Sequence, residues 1–167
     1  MNHWPHLEAA QALRQWPAIE GLCARIESSP DLAGALLLGS FARGSADALS
    51  DIDLILVARP DRFDRAWQAR DQLRGSDAVA WFDDLVQPAT EMGGHKWMTS
   101  DLVFVECLIA TATSGVRTTD DAVVIVGESG LKDELPKRPP IRRAEMTGGS
   151  WEVERLYDAL KDALRSS

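Results

Sequence analysis

Apolar positions recur along this chain with two different spacings, and the changes between them mark out its elements. In "PAIEGLCARIESS" Ile19, Leu22, Cys23 and Ile26 stand at i, i+3, i+4 and i+7, the stripe of an amphipathic helix opened by Pro17 and closed by Ser28, Ser29 and Pro30. "AGALLLGS" and "DIDLILVA" are unbroken apolar runs, which predicts two short strands buried on both faces, the first stopping at Gly39 and the second ahead of Pro60. "DRFDRAWQARDQLRG" returns to helical spacing, with Phe63, Trp67 and Leu73 as apolar positions and Gly75 near its end. Residues 77–94 keep no clean period, and only "AVAWF" there reads as a strand. "HKWMTSDLVFVECLIAT" predicts a hairpin turning at Thr99, Ser100 and Asp101, and "AVVIVGESGL" one more strand with a glycine turn. "LPKRPPIRR" is a proline-rich connector. "SWEVERLYDALKDALRSS" predicts a terminal helix with Trp151, Val153, Leu156, Leu160 and Leu164 on its apolar face.

Strands and helices alternate at first and a hairpin follows, so the expected fold class is α/β (α+β), a mixed β-sheet flanked by helices with a short helical C-terminal extension. The expected organisation is a core domain over residues 1–135 and a connector with its helix over 136–167.

Composition narrows the field only modestly. The 45% hydrophobic and 26% charged content is that of an ordinary globular domain. A net charge of −8 argues against a general nucleic-acid binder, whose phosphate-facing surface is basic. It suits solubility or a cationic partner. The N-terminus lacks a basic region followed by an apolar core, and no run reaches the roughly 18 apolar residues of a membrane span, so a cytoplasmic location is expected. Cys23 and Cys107 lack metal-type spacing and read as reduced core residues.

The stretch "LGSFARGSADALSDIDLILV" carries the chemistry. Asp51 and Asp53, at i and i+2 of an extended segment, point to the same face, where two like charges repel unless a cation compensates. Aspartate is also disfavoured in strands, so the pair calls for a reason, and hard oxygen ligands suit Mg²⁺. Gly39 allows a close approach that a side chain would block, and Ser40 brings a hydroxyl and an N–H to the turn. Arg43 supplies a fork of donors suited to a polyphosphate, with Gly44 keeping the turn open. Taken singly, Ser40 reads as a helix cap and Arg43 as a solvated charge; beside two carboxylates they read as a triphosphate clamp. His95 and Trp97, on the first arm of the hairpin, read as a surface histidine and a packed aromatic rather than as pocket residues.

In its order Gly39, Ser40, Arg43, Gly44, Ser50, Asp51, Asp53, this stretch resembles the signature of the nucleotidyltransferase superfamily related to DNA polymerase beta. The resemblance implies a nucleotidyltransferase fold in which Gly39, Ser40, Arg43 and Ser50 bind the nucleotide while Asp51 and Asp53 are catalytic and hold metal. It also implies a third acid on a later strand. Glu106, in "LVFVECLIA", is the candidate, because an ionisable group within an apolar strand is costly unless paired or metal-bound. Asp83, Asp84 and Asp101 are its rivals. The implied cofactors are two Mg²⁺ ions with ATP as co-substrate, and the implied reaction moves AMP to an acceptor hydroxyl as pyrophosphate leaves.

Among the branches of the superfamily the chain resembles antibiotic nucleotidyltransferases, which implies an aminoglycoside or lincosamide acceptor. It also resembles the minimal nucleotidyltransferase antitoxins, which bind or adenylylate a HEPN-type partner protein. About 60 residues follow Glu106, more than such antitoxins carry, and this favours the small-molecule branch. One terminal helix leaves the active face uncovered, so a homodimer is expected.

Overall fold

The structure, a computed structural model, describes residues 5–137 together with Ala159 and Ala163, which are both helical and exposed. The proline-rich connector beyond Lys137 and the apolar stripe of the terminal helix lie outside the described residues. The described elements are α1 (Trp16–Glu27), β1 (Leu32–Leu37), α2 (Gly39–Ala42), β2 (Ile52–Ala58), α3 (Phe63–Gln68), β3 (Ala78–Gln87), β4 (Met92–Thr99), β5 (Phe104–Thr111) and β6 (Val123–Val126). Single 3-10 segments cover Pro5–Ala12, Arg70–Leu73, Pro88–Thr90 and Ser129–Glu134. No helix among the described residues is long and apolar enough to cross a membrane.

The strands make one sheet in the order β3-β4-β5-β2-β1-β6. β2 and β5 run parallel, and the other neighbours are antiparallel, so the sheet is mixed. β1, and β2 from Leu54 onward, are apolar because both of their faces are covered. Leu54 and Leu56 pack with Ile19, Leu22 and Ile26 of α1 and with Trp97, Val105 and Ile109. On the opposite face Ile55 and Val57 join Leu36, Ala110, Leu131 and Leu135 in a smaller core. The stripe of α1 is buried as its spacing predicts, and Pro17 sits in the first turn, where its missing N–H costs nothing. Cys23 and Cys107 are buried free thiols. Burial pushes the Cys23 pKa up to about 11 and that of Cys107 higher still.

Three segments depart from the sequence reading. The helix expected over 61–75 stops at Gln68 and tightens into the 3-10 segment Arg70–Leu73. Positions three apart align along one edge of a 3-10 turn, so Leu73 enters the core while Arg70 stays close to the sheet, with its guanidinium 4.5 Å above the Trp67 ring. Residues 78–87, which lack a clean period, form a ten-residue edge strand. Its pairing to β4 slips between Ala78 and Ala80 and again between Asp84 and Gln87, which breaks the alternation a sequence would show. Its outer residues Val79, Trp81, Leu85 and Val86 are 45–59% exposed.

His95 is the third departure: it is wholly buried, not on the surface. β4 is an interior strand between β3 and β5, and the ring lies on the face that α1 covers, beside Trp97. Its Nδ1 lies 2.6 Å from Asp83 Oδ1, and the same carboxylate receives Arg70 at 2.7 Å. Burial outweighs Asp83 and holds the His95 pKa below the ordinary histidine value. The unfolded chain therefore takes up a proton at a higher pH than the folded one. Stability contributed by neutral His95 is present above the unfolded value of about 6.5 and lost as pH falls below it. Thermal melts between about pH 7.5 and about pH 5.5 should show a falling Tm that His95→Gln flattens; an equal fall in both proteins would refute the assignment.

Candidate active site

The parallel pairing of β2 with β5 places Asp53 level with Glu106. Paired residues on adjacent strands share a face, so both carboxylates lie on the side opposite α1. Asp51 stands one residue before the strand. One oxygen from each of Asp51, Asp53 and Glu106 lies within 4.8 Å of the others, and all three residues are half-buried, the one such cluster among the described residues. Three hard oxygen donors converging in this way fit a small divalent cation, whose charge answers the repulsion among them. The rivals of Glu106 lie outside this cluster: Asp83 pairs with Arg70 and His95, Asp84 is linked to Glu106 through Lys96, and Asp101 meets the Thr99 hydroxyl.

Gly39 supports Asp53 directly. Its φ is +64°, and a Cβ there would collide with Oδ2 of Asp53. The Leu38 N–H donates to the Asp53 carbonyl at 2.9 Å, closing the turn against the strand. Ser40 follows as the second residue of α2 and is half-buried. Arg43, just past α2, is exposed and pairs with Asp121 at 3.6 Å. It faces an open groove of about 690 Å³ that Val123, Ser129 and Lys132 also line. The Ser50 hydroxyl accepts from the Asp47 N–H at 2.9 Å and donates to Asp47 Oδ1 at 3.0 Å, so it closes the turn that delivers Asp51.

Sequence reasoning missed two positioning groups. Gln15 occupies the N-cap position of α1 but does not cap it; the buried amide donates to the carbonyls of Asp47 at 3.0 Å and Ser50 at 2.8 Å. Arg14 donates to Ala48 O at 2.7 Å and to Asp101 O at 3.0 Å, tying the same loop to the β4–β5 turn. Neither belongs to a recognisable motif, and only the folded chain brings them to residues more than 30 positions away. The second group is Lys96 on β4, paired in register with Glu106. Its Nζ lies 3.4 Å from Glu106 Oε2 and 3.0 Å from Asp84 Oδ2. Burial alone would lower its pKa, yet the charge of Glu106 and the contact with Asp84 raise it above the ordinary lysine value.

Gly39→Ala should move Asp53 and weaken Mn²⁺ binding by about tenfold, read by electron paramagnetic resonance of free Mn²⁺; unchanged affinity would show that Asp53 does not need the open backbone. Gln15→Leu removes two partly buried hydrogen bonds to the loop carbonyls and should cost about 1–3 kcal/mol in urea denaturation, with no loss expected if the loop holds itself.

Residues 19–92 match a family model described as a nucleotidyltransferase domain. No curated protein matches the chain. The matched segment includes the Gly39 turn, Asp51 and Asp53 but stops before Lys96 and Glu106, which the sheet register adds to the same corner. The domain match over residues 19–92, and the mixed sheet that carries it, support assigning the chain to the nucleotidyltransferase superfamily.

Proposed function

We propose that the protein moves a nucleoside monophosphate, AMP from ATP, to a hydroxyl of a small molecule. The observation that carries this reading is the convergence of Asp51, Asp53 and Glu106 on one face of the sheet, beside a glycine turn that leaves the backbone open. Asp51, Asp53 and Glu106 would hold Mg²⁺, and a cation there supplies charge neutralisation for the triphosphate and for the attacking and leaving oxygens.

The chain's own groups divide the remaining work. Ser40 orients the β- and γ-phosphates, and Arg43 exchanges its exposed contact with Asp121 for phosphate oxygens. A carboxylate has two oxygens, so Glu106 can complete the ligand set and also accept the proton of the acceptor hydroxyl. The hydroxyl oxygen then bonds to the α-phosphorus, the bond from that phosphorus to the α,β-bridging oxygen breaks, and pyrophosphate departs. The net charge of −8 suits a cationic acceptor such as an aminoglycoside, with lincosamides as the second class to try.

Labelled ATP and Mg²⁺ incubated with a panel of both antibiotic classes should give pyrophosphate and a nucleotidylated product. Label on a co-expressed helical protein in place of a small molecule would move the reading to an antitoxin of the HEPN-partnered kind. Calorimetry should show that ATP binding collapses in chelator and in the Asp51→Asn, Asp53→Asn double variant; unchanged affinity in both would defeat the metal site. Glu106→Gln should change the melting temperature little, since the repulsion it relieves against Asp51 and Asp53 offsets the ion pair with Lys96 that it removes, while turnover falls by about 100-fold or more. Turnover near that of the wild type would take the role away from Glu106.

A further inference from the structure

Phe82, Lys96, Glu106 and Asp53 stand in register across β3, β4, β5 and β2, one row running from the sheet edge to the carboxylate cluster. Lys96 occupies the middle of that row, its side chain only 14% exposed, and a site built to take up a divalent cation gains nothing from a neighbouring ammonium as a charge alone. The geometry points to a different service. We propose that Lys96 is a positioning residue which, anchored on Asp84, holds the Glu106 carboxylate turned toward Asp51 and Asp53. The proposal rests on reading those three acids as a divalent-cation site.

Two features separate an anchor from incidental charge balance. Asp84 is a fixed point: its carboxylate is enclosed, and it lies across the backbone of Gly94, where a Cβ would collide with it. Lys96 also contacts both carboxylates at once, at 3.0 Å and 3.4 Å, so its ammonium cannot follow Glu106 without leaving Asp84. The ring of Phe82, 5.9 Å from Nζ, borders the third side.

The sign of one measurement distinguishes the two roles. If Lys96 acted only as a nearby positive charge, its removal would strengthen cation binding, because like charges repel. If it positions Glu106, removal weakens binding, and only while Glu106 is present. Mn²⁺ affinity of the full chain, read from the resonance of free Mn²⁺, should fall about tenfold in Lys96→Met and recover largely in Lys96→Arg, which can still bridge two carboxylates. In a Glu106→Gln background, Lys96→Met should bring no further loss, the signature of two residues acting through one another. Asp84→Asn removes the anchor together with one negative charge, so its diagnostic is coupling: the Mn²⁺ loss it causes should largely vanish in a Glu106→Gln background, which keeps the proposal open to test if Lys96→Met fails to fold. Unchanged or tighter Mn²⁺ binding in Lys96→Met or Asp84→Asn, or an equal loss with and without Glu106, overturns the positioning role. Failure of the underlying metal-site reading looks different: the wild-type chain then binds no Mn²⁺, or binds it equally well after Asp51→Asn and Asp53→Asn.

Discussion

Parallel pairing of β2 with β5 fixes everything specific about the corner that bears the carboxylates. The side-chain period of a strand is two, so a slip of one residue would turn Glu106 to the helix-covered face and bring Cys107 beside Asp53. What resists that slip is the apolar run behind the acids: Leu54 opposite Cys107, Ile55 opposite Leu108 and Leu56 opposite Ile109. These residues fill two cores, one on each face, so the register is specified twice. The hydrophobic sheet thus supplies the free energy that holds repelling charges together at its end. Consistency fails locally at the acids and nowhere else along β2, which is the usual mark of a working site.

The loop that delivers Asp51 depends on a different kind of bond. Residues 46–50 contribute little apolar surface, and their carbonyls would otherwise rely on water. Gln15 and Arg14, placed just before α1, take up three of those carbonyls, so the helix that packs on the sheet also holds the loop above it. Packing, loop and ligand geometry are therefore one connected arrangement, and damage to the start of α1 is felt at Asp51.

Much of this was legible from residue types alone. The glycine turn, the paired aspartates, the stripe of α1 and the apolar character of β1 and β2 follow from local periodicity and local chemistry. Glu106 was found because a carboxylate is out of place in an apolar strand. What escaped was set by partners distant in the chain. The turn expected at 99–101 is centred on Ser100, which would set Lys96 across from Phe104; the actual turn is centred one residue later, with Leu102 at φ +63°, and sets Lys96 across from Glu106. A displacement that small decides whether the lysine meets an aromatic ring or an acid. His95 escaped for a similar reason: the strand read at residues 78–82 ends one residue short of Asp83, which faces His95, and the slips in its pairing hide the full length of β3.

The buried thiols have a use that their inertness makes possible. Cys107 neighbours Glu106 on β5 and is enclosed, with its pKa raised by burial, so in the folded state it presents neither access nor thiolate to an alkylating reagent. Cys23 on α1 is protected in the same way on the far side of the larger core. Labelling of either cysteine must wait for its element to part from the sheet. The rate at which each reacts therefore clocks the opening of one structural unit, and comparing the two reveals whether the strand carrying the third acid breathes independently of the helix or only with the whole domain.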